Sequence, residues 1–200
     1  MPIIFPEDPQ AGQAKITPDL ARVAPVKTAR VFSFFTSRVP TLDGSRPHRV
    51  YTVGLSDLAA GKLLSAAKPI AWRYFVLASD GEVTGEMEFE SAEEPTEGNA
   101  TLKPRAITRG PFTDATVTAL HAAETLHVVN EQPYEPRFLK IAAVYFAGLW
   151  LHGESRDLIL PIANTPAGLE QNKPYSENQI IEILQPIARR NKEFHDLATG

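Results

Sequence analysis

Residues 138–162 read FLKIAAVYFAGLWLHGESRDLILPI. Residues 141–151 carry almost no polar side chain, and residues 158–162 return in the same style. A stretch this apolar is buried, and it is too long for one ordinary strand of about 5–6 residues. It reads as a long strand, a loop at 153–156 and a return strand. That loop places His152 opposite Asp157, Leu151 opposite Leu158 and Trp150 opposite Ile159. Both faces of the pair are then apolar, the mark of central strands covered on two sides. A membrane helix is excluded, because it needs about 20 apolar residues and the run from Ile141 breaks at His152.

A second hairpin lies upstream, in residues 71–78 and 82–90 around Asp80-Gly81. Asp-Gly suits a two-residue type I′ turn, whose central residues need positive φ. The register then pairs Trp72 with Phe89, Arg73 with Glu88, Tyr74 with Met87 and Val76 with Gly85. One face is apolar; the other carries Arg73, Glu86 and Glu88, with Phe75 and Leu77 beside them. A slip of one residue would exchange the two faces, so the pairing is well specified. The carboxylates Glu86, Glu88 and Glu90, followed by Glu93, Glu94 and Glu97, read as a solvated face running into an acidic loop at 91–99.

Around these hairpins, residues 30–38 read as a first strand and 48–53 as a short second one. Ser56 reads as the N-cap of a helix carrying Leu58, Ala59, Leu63 and Leu64, with Pro69 closing the connection. Residues 100–108 form a strand in which Pro104 marks an edge or a bulge. Thr113 or Asp114 caps a helix running to about residue 126, with Leu120 and Ala123 toward the core. Ser176 and Gln179 form a capping box. The helix that follows has Ile180, Ile181, Leu184, Ile187 and Ala188 on one side and Asn178, Glu182, Gln185 and Arg189 on the other. Pro186 is expected to kink or split it.

Strands in adjacent hairpins with few helices favour an α+β fold. The expectation is a mainly antiparallel sheet built from hairpins and packed against two or three helices. In outline this is similar to cystatin-like and NTF2-like architectures, an analogy that carries no function. Residues 1–28, rich in proline, read as an extended or poorly ordered arm, 29–190 as a single domain and 191–200 as a tail.

The composition excludes several functions. The 200 residues carry a net charge of -4, with no basic face for nucleic acid. There is no cysteine, so disulfides, thiolate metal sites and cysteine nucleophiles are absent, in keeping with a reducing cytoplasm. The N-terminus lacks the basic and apolar regions of a signal peptide. No glycine-rich phosphate loop and no G-x-S-x-G elbow occurs. Neither a cofactor nor a metal is implied. His121, Glu124 and His127 sit on a helix, but a step of six residues turns about 240° and sends the two histidines apart.

The remaining candidates are few. His152 and Asp157 pair an imidazole with a carboxylate that orients it, as in general-base pairs. Trp72, Tyr74, Tyr145, Phe146 and Trp150 are aromatic groups able to line a pocket or to fill the core. Arg105, with Lys103 and Arg109, offers a small basic strip. The leading expectation is a non-enzymatic cytoplasmic binding or assembly module, acting on a protein partner or a second copy of itself. The alternative is a small-ligand-binding protein or enzyme with a pocket near His152, Asp157 and Trp150.

Overall fold

The computed structural model describes residues 3–6, 46–77, 83–90, 103–108, 110–163 and 165–199. In chain order the elements are β1 (His48–Thr52), α1 (Leu55–Ala59), β2 (Lys68–Leu77), β3 (Val83–Glu90), β4 (Lys103–Thr108), α2 (Pro111–Glu124), β5 (Tyr134–Ile141), β6 (Phe146–Gly153), β7 (Leu158–Ala163) and α3 (Glu177–Thr199). Among the described residues the fold is α+β with mainly antiparallel strand pairing and three helices, like the two named architectures only in loose outline. The strand expected at 30–38, the Asp80-Gly81 turn and the acidic loop at 91–99 lie outside the described residues. The chain divides into two compact units. One holds the described residues of Met1–Ile4, Arg49–Ile70 and Asp114–Gly200; the other holds those of Phe5–His48 and Ala71–Thr113.

In the first unit the strands lie in the order β1-β5-β6-β7. The long strand expected from residue 138 is in fact two. A 3-10 turn at Ala142–Val144 divides β5 from β6, and Tyr145 completes the corner at φ 53. No Gly, Asn or Pro advertises this turn, which is why periodicity alone missed it. The β6–β7 hairpin keeps the expected register, with Leu151 opposite Leu158 and Trp150 opposite Ile159. On the other side β5 pairs with β1 in parallel, Arg49 opposite Arg137 and Tyr51 opposite Leu139. Ile3 is buried and bridges Tyr134 in parallel, while Ile4 N–H donates to the Tyr134 carbonyl at 2.9 Å.

Helices α1 and α3 close over one core containing Tyr51, Leu58, Leu63, Leu139, Ile141, Trp150, Ile159, Ile180, Leu184 and Ala188. Gly54, not Ser56, is the N-cap of α1, and no side chain bonds there. The helix stops after one turn because Gly61 takes φ +80. Gln185 and Arg189, expected to face water, instead reach the free end of α1: both donate to the Ala59 carbonyl, at 3.2 and 3.1 Å. They satisfy an acceptor that a helix end leaves unbonded. Glu177 does the reverse at the next turn, its carboxylate accepting from Leu64 N–H at 2.8 Å. A Cβ at Gly61 would stand 2.9 Å from Gln185 Nε2 at an unfavourable φ. Gly61→Ala is therefore expected to cost about 1–2 kcal/mol, read from chemical denaturation; an unchanged midpoint would contradict this reading of the α1–α3 contact.

The capping box opens α3 as expected: Ser176 N–H donates to Gln179 Oε1 at 2.9 Å, and Gln179 N–H to Ser176 Oγ at 3.4 Å. Pro186 does not split the helix, and residues 191–199 are helical and not a loose tail. Pro186 is exposed, so water can bond the Glu182 carbonyl that the missing N–H leaves free.

In the second unit β3 lies between β2 and β4. The expected pairs Trp72–Phe89, Arg73–Glu88, Tyr74–Met87 and Val76–Gly85 all form, before the register shifts at Leu77. Pro69 belongs to β2 instead of ending a connection. Pro104 faces Phe89 where the β3–β4 register shifts, an irregularity of the kind its missing N–H imposes. Helix α2 begins at Pro111, earlier than the expected cap at Thr113 or Asp114; Pro fits a first turn, where no N–H partner is needed.

Candidate functional site

Residues directly opposite in a sheet share a face. Across β1, β5, β6 and β7 the first unit therefore lines up Arg49, Arg137, Trp150 and Ile159, and in the next row Glu135 and His152. The helices cover the apolar part of this face, and the charged row lies at its margin. Arg137 stacks on two rings there, its guanidinium carbon 4.7 Å from the Trp150 centroid and 5.1 Å from that of Tyr51. Its Nε donates to Glu135 Oε1 at 2.8 Å. A guanidinium is flat and weakly hydrated, so it covers aromatic faces while keeping its donors paired.

His152 and Asp157 meet at the margin. His152 Nδ1 lies 2.8 Å from Asp157 Oδ1, and Trp150 Nε1 donates to the same oxygen at 2.9 Å. A carboxylate only accepts, so Nδ1 carries a proton and donates it. The hairpin end is braced from outside: Gln132 Oε1 accepts from Ser155 N–H at 3.1 Å and from Ser155 Oγ at 2.8 Å. Arg156 donates to Glu131 at 3.0 Å and to the Tyr134 hydroxyl at 3.4 Å; the hydroxyl bond is the main cause of its raised pKa. Gly153 lets this bracing close, since a Cβ would meet Tyr134 Cε1 at 2.7 Å.

The other candidates scatter. Trp150 and Phe146 are buried in the first unit, Trp72 and Tyr74 in the second, where Tyr74 meets Phe89 edge-on at 5.6 Å. Tyr145 stands apart from all of them, 83% exposed. Arg105 lies on β4. His121 and His127 face separate carboxylates, Glu124 at 3.4 Å and Glu131 at 3.7 Å. No group of three or more metal-ligating side chains occurs among the described residues.

Two features went unread in the sequence. The first is in the second unit. Glu86, expected on a solvated face, is only 1% exposed, and Glu88 and Arg73 are buried with it. Arg73 bonds Glu88 at 2.8 Å and lies 3.5 Å from Glu86. His48 is buried alongside, its ring 5.3 Å from that of Phe75. Its Nδ1 donates to the Arg46 carbonyl at 3.1 Å, and its Nε2 has no hydrogen-bond partner among the described residues. Burial, helped by the Arg73 charge, lowers its pKa to about 3. The signal was Phe75 and Leu77 on the charged face: large apolar neighbours imply cover.

The second feature is a surface patch. Asn191 Nδ2 donates to the Ala143 carbonyl at 2.8 Å, tying the β5–β6 corner to α3. Tyr145 lies two residues after Ala143, and Phe194 and Leu197 lie about one and two turns beyond Asn191 on α3, exposed by 67% and 81%. Ile183, Ile187, Arg190, Phe194 and Leu197 follow a spacing of four and three that makes one helical stripe. Ile183 and Ile187 are packed on the core, and the stripe then runs out past it. No described helix is long and apolar enough to cross a membrane. No family model, no curated protein and no solved structure matches this chain.

Proposed function

We propose that the protein is a binding or assembly module acting through protein–protein contacts, and that Tyr145, Phe194 and Leu197 make them. The observation that carries this reading is Tyr145. It holds a left-handed backbone conformation at φ 53 while 83% exposed. That conformation disfavours most residues with a Cβ, and Asn or Gly would fill the corner at lower cost. A large ring kept there adds nothing to the core, and aromatic anchors of this kind concentrate at protein interfaces. A photo-crosslinking amino acid at position 197 tests the proposal in cells. The expected result is a discrete adduct that Phe194→Ser removes and that the same probe at exposed Lys173 does not give. Absence of any adduct specific to position 197 overturns it.

A second reading, a small ligand at His152, has one observation in its favour. Asp157 holds Nδ1, and the His152 side chain is partly exposed, so Nε2 is open to a ligand. Ring signals of His152 that shift on adding a protein-free metabolite extract, and do not in Asp157→Ala, would favour it.

A further inference from the structure

We infer that the patch at the end of α3 receives an amphipathic helix of another protein, one that presents a carboxylate within its apolar face. The inference rests on the binding reading above and names the chemistry of its partner.

Two observations select this occupant. Arg190 interrupts the stripe between Ile187 and Phe194, exposed and with no hydrogen bond or ion pair among the described residues. An unpaired guanidinium inside an apolar stripe complements a partner carboxylate surrounded by apolar side chains. The edge of β7 is already occupied: Ile159 exchanges both backbone bonds with Tyr175 at 2.9 Å, and Asn172 N–H donates to the Pro161 carbonyl at 2.9 Å. A partner strand cannot extend the sheet at those positions, and the patch itself is made of side chains. A helix meets these requirements, since it presents side chains one turn apart to Phe194 and Leu197 and leaves its backbone bonds internal.

A second copy fits less well, since two α3 stripes face to face bring Arg190 toward its own image. This chain's acidic segment 91–99 supplies carboxylates but no large apolar side chain to fill the patch.

The test uses the full chain and two synthetic helical peptides with the same leucine stripe, one carrying Glu and the other Lys at its centre, followed by fluorescence anisotropy. The Glu peptide is expected to bind about tenfold or more tightly than the Lys peptide. Arg190→Glu is expected to reverse that order, and Phe194→Ser with Leu197→Ser to abolish both. All these positions are exposed; circular dichroism verifies the fold. Equal affinities, or an order that Arg190→Glu leaves unchanged, overturn the inference. So does a concentration-dependent dimer by light scattering that Arg190→Glu alters, which assigns the patch to a second copy. If neither peptide binds while the adduct from position 197 persists, the partner chemistry fails and the binding reading stands. If the adduct is also absent, both fail.

Discussion

Arg73→Ala is expected to destabilise the protein by about 3–5 kcal/mol, the usual cost of removing one partner from a buried ion pair. Arg73 is buried between Glu88 at 2.8 Å and Glu86 at 3.5 Å, so the substitution takes a cation away from two carboxylates that are out of water. The cost lies in the buried negative charge left less compensated, more than in the lost bond. Replacing all three together, as Arg73→Met, Glu86→Leu and Glu88→Leu, should therefore cost less than Arg73→Ala alone. Urea denaturation at pH 7 reads both. A loss under 1 kcal/mol for the single change would mean that water reaches the pair.

Acid should weaken the same unit through His48. The unfolded ring takes its proton near 6.5, and the folded ring only near 3, because burial and then the Arg73 charge disfavour the imidazolium. Between these values the unfolded chain binds more protons, so stability falls as pH falls. The contribution is complete above pH 6.5 and is lost on the way down to about pH 3, by up to about 1.4 kcal/mol per pH unit. His48→Phe, which keeps a ring beside Phe75, removes this dependence. Denaturation midpoints of the two proteins should diverge between pH 6.5 and 4.5; parallel curves would show that His48 is protonated in the fold.

The hairpins were legible because each is a local statement: turn, alternation and length agree within about twenty residues. Trp72–Phe89 and Trp150–Ile159 fell out of that logic, and so did the bond between His152 and Asp157. What sequence could not supply came from partners distant in the chain. Gln185 and Arg189 looked like a solvent face until the α1 carbonyl at Ala59 claimed them. Glu86 and Glu88 looked solvated because alternation shows which residues share a face, not what covers it. The parallel β1–β5 pair joins residues more than eighty positions apart, beyond any local pattern. Tyr145 was read with the aromatic core, since composition does not distinguish a ring that fills space from one placed outside it.

That residue carries the central claim, and Tyr145→Asn tests it. Asparagine accepts the left-handed corner more readily than tyrosine, and an exposed ring takes no packing with it when removed. The variant is expected to melt at the same temperature as the parent or slightly above it, yet to lose the adduct formed from a cross-linker at position 197. A melting temperature several degrees lower, with the adduct intact, would show that Tyr145 serves the fold and would contradict the assignment of this surface to binding.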